Sequence, residues 1–153
     1  MTVQITQATD MDCQDVVSFL ATALPESWRQ PELPDRAQIQ RVLSHNASIL
    51  MIARQEDTVV GLALGWCFPN AVAQGDTVML DELLVDPGCR GIGIGTELVK
   101  AFTKTARQLG KAPIEVWATT DFPDEPAATP FARTGGQQGE LLRQFDWPKE
   151  ACA

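Results

Sequence analysis

The sequence predicts a single mixed α/β domain, and three observations lead to that fold class. The chain has 153 residues, of which 44% are hydrophobic and 21% charged, a composition typical of an ordinary globular domain. Short apolar runs bounded by turn residues predict strands, and apolar residues at helical spacing predict helices among them. One helix separates two strands by enough residues for those strands to be parallel. Because no repeat or linker divides the chain, residues 1–153 are predicted to form one domain.

The first predicted elements are mainly helical. After a short strand at residues 3–6, an amphipathic helix is expected at residues 13–24, with Asp10 or Asp12 as its N-cap. Prolines interrupt the next stretch, and a second helix is expected at residues 35–45. Two helices therefore precede most of the sheet.

Three strands are predicted in the middle of the chain. Residues 49–53 and 59–68 are expected to pair, because the polar run at residues 55–58 suits a hairpin turn. Residues 77–85 form a longer strand that ends at the turn-forming pair Asp86-Pro87.

A helix at residues 96–109 carries apolar residues at helical spacing, and Gly110 follows where a C-terminal cap belongs. With the strand at residues 114–119 it completes a βαβ unit. A last helix opens at Asp124 or Glu125 with Pro126, and Pro130 requires it to be short, kinked or late in starting. The pair Gly135-Gly136 ends this helix, and residues 140–147 offer a final strand.

The charge balance argues against a nucleic-acid partner. The chain has 12 Lys and Arg against 20 Asp and Glu, which gives a formal net charge of −8. A protein that binds the phosphate backbone needs a basic face, and none is indicated. The same excess of carboxylates attracts polycationic small molecules, although it also serves solubility.

Metal, membrane and export signals are not expected either. The four cysteines are far apart without a CxxC pair, and His45 is the only histidine, so no metal site is predicted. The N-terminus lacks the basic start and apolar run of about 7–15 residues that mark a signal peptide. No apolar stretch approaches the roughly 20 residues that span a bilayer. The sequence predicts a cytoplasmic protein without a membrane partner and leaves a homodimer open.

The segment between the strand at 77–85 and the helix at 96–109 carries the most information. It reads Val85-Asp86-Pro87-Gly88-Cys89-Arg90-Gly91-Ile92-Gly93-Ile94-Gly95-Thr96. Glycine permits positive φ and close approach by a ligand, and the first turn of a helix offers free N–H groups with a partial positive charge. The segment is therefore predicted to bind a pyrophosphate.

Spacing separates three kinds of phosphate-binding loop. The dinucleotide fingerprint G-x-G-x-x-G fails, because it requires glycine or alanine at Thr96 or Leu98. The Walker loop fails because no Gly-Lys-Ser/Thr follows. The pattern R-x-x-G-x-G is satisfied by Arg90, Gly93 and Gly95 after Leu83-Leu84-Val85-Asp86-Pro87, and here the chain resembles the GNAT superfamily of N-acetyltransferases. The resemblance implies a mostly antiparallel mixed sheet whose central parallel βαβ unit splays around acetyl-coenzyme A.

The resemblance also implies how acetyl-coenzyme A is held. Backbone amides of the loop bind the pyrophosphate, with added charge from Arg90, and the pantetheine arm runs along the strand at 77–85 where it splays from the strand at 114–119. The implied contact residues are Leu83, Leu84, Val85, Arg90, Gly91, Ile92, Gly93, Ile94, Gly95, Thr96, Thr119 and Phe131.

Direct transfer to an amine needs a base that leaves the amine neutral and a donor near the thioester carbonyl. Family position favours Glu82 as the base, with Asp81 as its neighbour and rival. Because adjacent strand residues face opposite sides, only one of them faces the acceptor unless a bulge intervenes. The backbone N–H of Leu84 is the expected donor. Many family members place a proton-donating tyrosine where this chain has Phe131, and since the chain has no tyrosine, that role stays unassigned.

A second segment, Val116-Trp117-Ala118-Thr119-Thr120-Asp121-Phe122-Pro123-Asp124-Glu125-Pro126-Ala127, resembles aminoglycoside 3-N-acetyltransferases, as does the later Gln144-Phe145-Asp146. The implied acceptor is a small polycationic amine, with an aminoglycoside 3-amino group foremost and another polyamine, small amine or peptide as the alternative. The implied acceptor contacts are Asp121, Asp124, Glu125 and Asp146, with Asp121 also a rival base.

Two interpretations of another kind stay open at this stage. Asp124 or Glu125 is equally explained as a helix cap. The missing tyrosine favours a non-catalytic module that binds acyl-coenzyme A. No role in the site is assigned to His45 or to the tryptophans Trp28, Trp66, Trp117 and Trp147.

Overall fold

The computed structural model describes residues 2–24, 26, 32–72, 74–109, 114–119 and 128–139. The strands in this part of the chain are β1 (Val3–Gln7), β2 (Ser48–Gln55), β3 (Thr58–Pro69), β4 (Asp76–Val85) and β5 (Ile114–Ala118). The helices are α1 (Cys13–Ala23), α2 (Arg36–Ser44), α3 (Ile94–Leu109) and α4 (Ala128–Arg133). None of these helices is long and apolar enough to cross a membrane.

The strands form one sheet in the order β1-β2-β3-β4-β5. Neighbours from β1 to β4 are antiparallel, whereas β4 and β5 are parallel and are connected through α3. This arrangement confirms the predicted fold class, including the parallel βαβ unit. The order also leaves the parallel pair at one side of the described sheet.

Each face of the sheet is covered by different helices. On what we call the α3 face, the buried core consists of Ile49, Met51, Ala53, Val60, Ala63, Val78, Leu80, Ile94, Leu98, Val99, Phe102 and Ala106. On the opposite α1–α2 face, the buried core consists of Ala8, Cys13, Val16, Phe19, Ala23, Ile39, Leu50, Ile52, Val59, Leu62 and Leu84. Side-chain alternation along the strands separates these two layers.

Gly65 on β3 allows α3 to pack closely on its face of the sheet. A Cβ atom at this position would overlap the carbonyl oxygen of Met79 and would lie 2.8 Å from Cε2 of Phe102. Phe102 is fully buried. The absence of a side chain at residue 65 is therefore what admits the Phe102 ring.

The N-terminus of α1 is tied to β2 by charge. Arg54, at a register irregularity of β2, donates to Asp12 at 2.7 Å and to Asp15 at 2.6 Å. Thr9 also donates to Asp12 from both its backbone N–H and its hydroxyl. Burial alone would raise the pKa of Asp12, but the hydrogen bonds from Arg54 and Thr9 outweigh burial and hold this pKa below its ordinary value.

Several predicted boundaries shift slightly in the structure. The β2–β3 turn is two residues long, with Glu56 at φ 55°. α3 begins at Ile94 rather than residue 96, so three residues of the glycine segment are already helical. α4 is short and is followed by Gly135 at φ 91°, as its prolines and glycines predict. The predicted strand at 140–147 and the opening near Pro126 lie outside the described residues.

Candidate functional site

Strands β4 and β5 part near the middle of β4. Their pairing runs from Asp76 beside Ile114 to Leu80 beside Ala118. β4 continues to Val85, whereas β5 ends at Ala118, so the second half of β4 has no β5 partner. This splay lies where the sequence predicted it.

Backbone direction along the splayed part of β4 is set by its pairing with β3. The N–H of Asp86 donates to the carbonyl of Val60 at 2.9 Å, and the same register places Leu84 opposite Leu62. Alternate residues of an antiparallel strand direct their backbone groups to the same neighbour, so the N–H of Leu84 faces β3. The N–H groups of Leu83 and Val85 point the other way, to the edge of β4 that β5 has left, which we call the splayed side. The choice of Leu84 as carbonyl donor is therefore corrected, and Leu83 takes its place as the candidate.

The loop after β4 is shaped by its own side chains and glycines. The carboxylate of Asp86 accepts the N–H of Gly88 at 2.8 Å, which turns the chain sharply after the strand. Gly91 and Gly93 have φ values of 82° and 95°, a region that strongly favours glycine. A Cβ atom at either position would meet no atom within 4 Å, so the space above both glycines is open.

The loop leads directly into the N-terminus of α3. The carbonyl of Gly93 accepts the N–H of Glu97 at 3.1 Å, which makes Gly93 the N-cap. The N–H groups of Ile94, Gly95 and Thr96 therefore have no partner within the helix and carry the positive end of its dipole. Open space above glycines and helical donors without a partner in the helix are features that suit a pyrophosphate, and the role of this loop stays a prediction.

Arg90 has a second role that the sequence did not reveal. It is exposed, and its Nε donates to the carbonyl of Val85 at 3.1 Å. This carbonyl lies on the splayed side of β4, so Arg90 satisfies an acceptor that β5 leaves unpaired.

Helix α4 closes over the start of α3. A Cβ atom at Gly95 would lie 3.2 Å from Cγ of Pro130, so this glycine lets the two helices approach. Phe131, where the resemblance led us to expect a tyrosine, packs against the core of the α3 face. Thr119 follows β5 directly and is exposed. Both residues stay candidate cofactor contacts.

A β-bulge determines where the candidate base lies. Glu82 is opposite Leu64, but Leu80 is opposite Gly65, so Asp81 is an extra residue on β4. Val78 and Leu80 lie on the α3 face, whereas Leu84 lies on the α1–α2 face. Alternation from Leu84 places Glu82 on the α1–α2 face as well. One of its carboxylate oxygens, Oε2, is buried from solvent.

Asp81 reaches the same face through its contact with Trp66. Its carboxylate accepts the indole N–H of Trp66 at 3.3 Å. Trp66 in turn meets the ring of His45 edge-on, with ring centroids 5.5 Å apart. The bulge thus places both carboxylates, Asp81 and Glu82, on the α1–α2 face. Adjacent strand residues ordinarily face opposite sides, and a bulge is the exception named in the sequence analysis. The sequence assigned no role to Trp66 or His45, because their proximity depends on the sheet register.

The acidic acceptor residues expected from the sequence lie outside the described residues. These residues are Asp121, Asp124, Glu125 and Asp146. Within the described part of the chain, no group of three or more His, Cys, Asp or Glu side chains is arranged to hold a metal ion.

Comparison with known proteins defines the family. Residues 13–135 match the Acetyltransferase (GNAT) family. That match covers most of the chain, and its fold and glycine loop agree with it, so the chain belongs to the GNAT family.

Two curated relatives are similar in sequence. The mycothiol acetyltransferase of Frankia alni is 34% identical over 155 residues, covering 93% of this chain and 43% of that protein. The L-2,4-diaminobutyric acid acetyltransferase of Nocardia farcinica is 29% identical over 133 residues, covering 74% of this chain and 66% of that protein. The chain spans less than two thirds of either relative.

Solved structures share the fold at lower identity. An aminoglycoside acetyltransferase from an uncultured soil metagenomic sample, in complex with trehalose, superposes with a TM-score of 0.81 at 18% identity, covering 95% of both chains. The aminoglycoside N-acetyltransferase AAC(6')-Iy, in complex with CoA, gives a TM-score of 0.76 at 16% identity, again covering 95% of both chains. Likeness at these identities shows the fold alone.

Proposed function

We propose that this protein is an acetyl-coenzyme A dependent N-acetyltransferase of small primary amines. The observation that carries the proposal is the junction at the middle of β4. There the strand leaves β5, the backbone of Leu83 turns to the splayed side, and the bulge directs Glu82 to the α1–α2 face. The splayed edge of β4, which we propose for the cofactor, thus lies next to the candidate base on the α1–α2 face.

The residues of the junction supply the groups that amine acetylation requires. Acetyl-coenzyme A, when bound, supplies the acetyl group as a thioester. Glu82 accepts the proton of the acceptor ammonium, directly or through a water molecule, and so leaves a neutral amine. The N–H of Leu83 donates to the thioester carbonyl, and the N–H groups at the start of α3 hold the pyrophosphate.

Phe131 leaves the departing thiolate without a tyrosine donor. Phenylalanine packs but cannot donate a proton. Coenzyme A thiol resembles a free cysteine, whose pKa is about 8.5, so its thiolate departs without an obligatory acid near neutral pH. The missing tyrosine is therefore compatible with turnover.

For the acceptor we propose an aminoglycoside, through its 3-amino group. The net charge of −8 favours polycations, and solved aminoglycoside acetyltransferases share the fold. A second candidate is an amine of the kind that the names of the sequence relatives indicate, a precursor of mycothiol or L-2,4-diaminobutyric acid.

The test is thiol release from acetyl-coenzyme A with a panel of amines. The panel contains aminoglycosides with and without a 3-amino group, L-2,4-diaminobutyric acid, a linear polyamine and a peptide, and the acetylated nitrogen is located by NMR. Release with 3-amino aminoglycosides and acetylation at that nitrogen supports the proposed acceptor. Thiol release only with a peptide or amino-acid amine would contradict the proposed aminoglycoside acceptor. Thiol release with none of the amines, although coenzyme A binds, would contradict the proposed N-acetyltransferase activity.

A further inference from the structure

Two tryptophans stand in one row across the sheet, beside the junction of β4 and β5. Trp66 on β3 is opposite Met79 on β4, and Met79 is beside Trp117 on β5. We infer that Trp66 and Trp117 form a slot that grips a ring of the acceptor over Met79. This inference rests on the proposed function and deepens it, because it assigns the class of acceptor to particular side chains.

All three residues of the row point to the α1–α2 face. Their chain neighbours Cys67, Val78, Leu80, Val116 and Ala118 pack into the core of the α3 face. Side chains alternate along each strand, so the row faces the other way. That is the face on which the bulge places Asp81 and Glu82.

The strand spacing sets the width of the slot. Neighbouring strands lie about 4.7–4.9 Å apart, so the backbones at Trp66 and Trp117, two strands apart, are separated by about 9–10 Å. A saturated ring in contact with an aromatic face lies about 3.5–4.0 Å from it, and contact on both sides requires about 7–8 Å. The backbone spacing is therefore wide enough for one six-membered ring between the two side chains. Met79 lies beneath it with a flexible, polarizable side chain.

The indole of Trp66 is held in place, while Trp117 is open to solvent. Trp66 donates to Asp81 at 3.3 Å and meets His45 edge-on, so it is fixed from two sides. Trp117 is 37% exposed, although it lies in the interior of a strand. An exposed large aromatic side chain beside a cleft provides rigid contact area at low entropic cost.

The row of tryptophans lies next to the carboxylates that would receive the amine of the acceptor. The row lies one residue before the last β4–β5 pair, Leu80 beside Ala118, so the splay begins next to it. Asp81 and Glu82 follow on β4. A ring in the slot thus presents its amine to these carboxylates.

A cavity lies on the α2 side of Trp66. It has a volume of about 330 Å³ and is lined by Gln38, Arg41, Val42, Ser44, His45 and Trp66. Since Trp66 borders both the row and this cavity, a second ring of the acceptor that reaches past Trp66 would lie there. The acceptor class is therefore a ring-bearing amine, such as an amino sugar, rather than a linear polyamine.

The test compares a cyclic and a linear amine in matched variants. Trp66→Leu and Trp117→Leu each remove one wall of the slot. Phe68→Leu is the control, because Phe68 is also exposed and lies on the same face, one row farther from the splay. The probes are a 2-deoxystreptamine aminoglycoside and spermidine, and calorimetry measures amine binding to the coenzyme A complex.

Each tryptophan variant is expected to weaken aminoglycoside binding about three- to tenfold, the typical contribution of an aromatic contact, with spermidine binding and coenzyme A affinity unchanged. Trp66→Phe retains a ring and should keep most of the affinity, which covers the case in which Trp66→Leu does not fold. The slot is overturned if wild-type protein does not bind the aminoglycoside, if Trp117→Leu binds it normally, or if Phe68→Leu weakens it equally. Calorimetry measures amine binding and not catalysis. A protein that binds the aminoglycoside through both tryptophans but does not acetylate it would therefore contradict the proposed function and leave the slot supported.

Discussion

Glu82 lies opposite Leu64 in the sheet, although two residues earlier Leu80 lies opposite Gly65. The extra residue between them, Asp81, shifts the alternation of β4 by one. In a regular strand Glu82, two residues after Leu80, would share the face of Leu80 and point toward α3. The position of the candidate base thus depends on the bulge at Asp81.

Glu82→Gln should lower kcat/KM for the acceptor about 10²- to 10⁴-fold, because an amide keeps the shape of the side chain but cannot accept the ammonium proton. Steady-state kinetics across a pH range measures the effect, and calorimetry should show unchanged coenzyme A affinity. The matched control is Glu115→Gln, which neutralises an exposed carboxylate on β5. If Asp81→Asn lowered kcat/KM more than Glu82→Gln does, Asp81 and not Glu82 would be the base.

Gly93→Val should abolish coenzyme A binding. A β-branched residue is strongly disfavoured at φ 95°, and its side chain would fill the open space above the loop. Gly139→Val is the control, because a Cβ atom there also meets nothing within 4 Å and φ is not in the left-handed region. Calorimetry with coenzyme A measures binding, and circular dichroism verifies the fold. Wild-type affinity in a folded Gly93→Val variant would contradict the loop assignment.

Gly65→Ala should destabilise the domain by about 3 kcal/mol, because the added methyl group overlaps the Met79 carbonyl and the Phe102 ring. Urea unfolding measures the free energy of unfolding. Gly139→Ala, which adds the same group in open space, should change it little. Equal stability of the two variants would mean that α3 does not pack against β3 as described.

Asp12→Asn should lower the free energy of unfolding by about 1–2 kcal/mol at neutral pH, since Arg54 and Thr9 lose a charged acceptor. The pKa of Asp12 is lowered in the folded state from an ordinary value of 3.8, so its contribution is present above that pH. It is lost as the pH falls through the lowered pKa. Unfolding measured from pH 7 to pH 2 should therefore show the difference between wild type and variant shrinking in acid, and a constant difference would refute the assignment.

The acceptor KM should rise with ionic strength if carboxylates attract a polycation. Charges farther than a Debye length of about 8 Å at physiological salt are screened, so only carboxylates near the acceptor contribute. Neutralising Asp146, or Asp124 and Glu125 together, should raise the KM for gentamicin-like acceptors. Neutralising the exposed Asp10 should leave it unchanged. A KM that does not respond to salt would argue against electrostatic recognition.

The glycine loop and the βαβ unit could be predicted because their signals are local. Gly93 and Gly95 are close in sequence, and the loop geometry follows from glycine and from the helix that begins beside it. The distinction between Leu83 and Leu84 could not be made, since it requires the register of β4 against β3. That register is set by Val60 and Leu62, more than 20 residues away in the chain.

The tryptophan row could not be predicted either, because it also depends on strand register. Trp66 and Trp117 become neighbours of Met79 only when three strands align, and no spacing within the sequence encodes that alignment. Each tryptophan alone is equally well explained as a core residue. The sequence indicates only that a bulge would place Asp81 and Glu82 on one face, because the bulge itself depends on the pairing of β4 with β3.

The hydrogen bond from Arg90 to the Val85 carbonyl also bears on solubility. A strand that loses its partner halfway exposes backbone donors and acceptors, and such an edge readily recruits a strand from another molecule. The bulky charged side chain of Arg90 occupies one of these acceptors and obstructs the approach of a foreign strand. The residue that leads from the strand into the glycine loop thus also protects the unpaired part of β4 against aggregation.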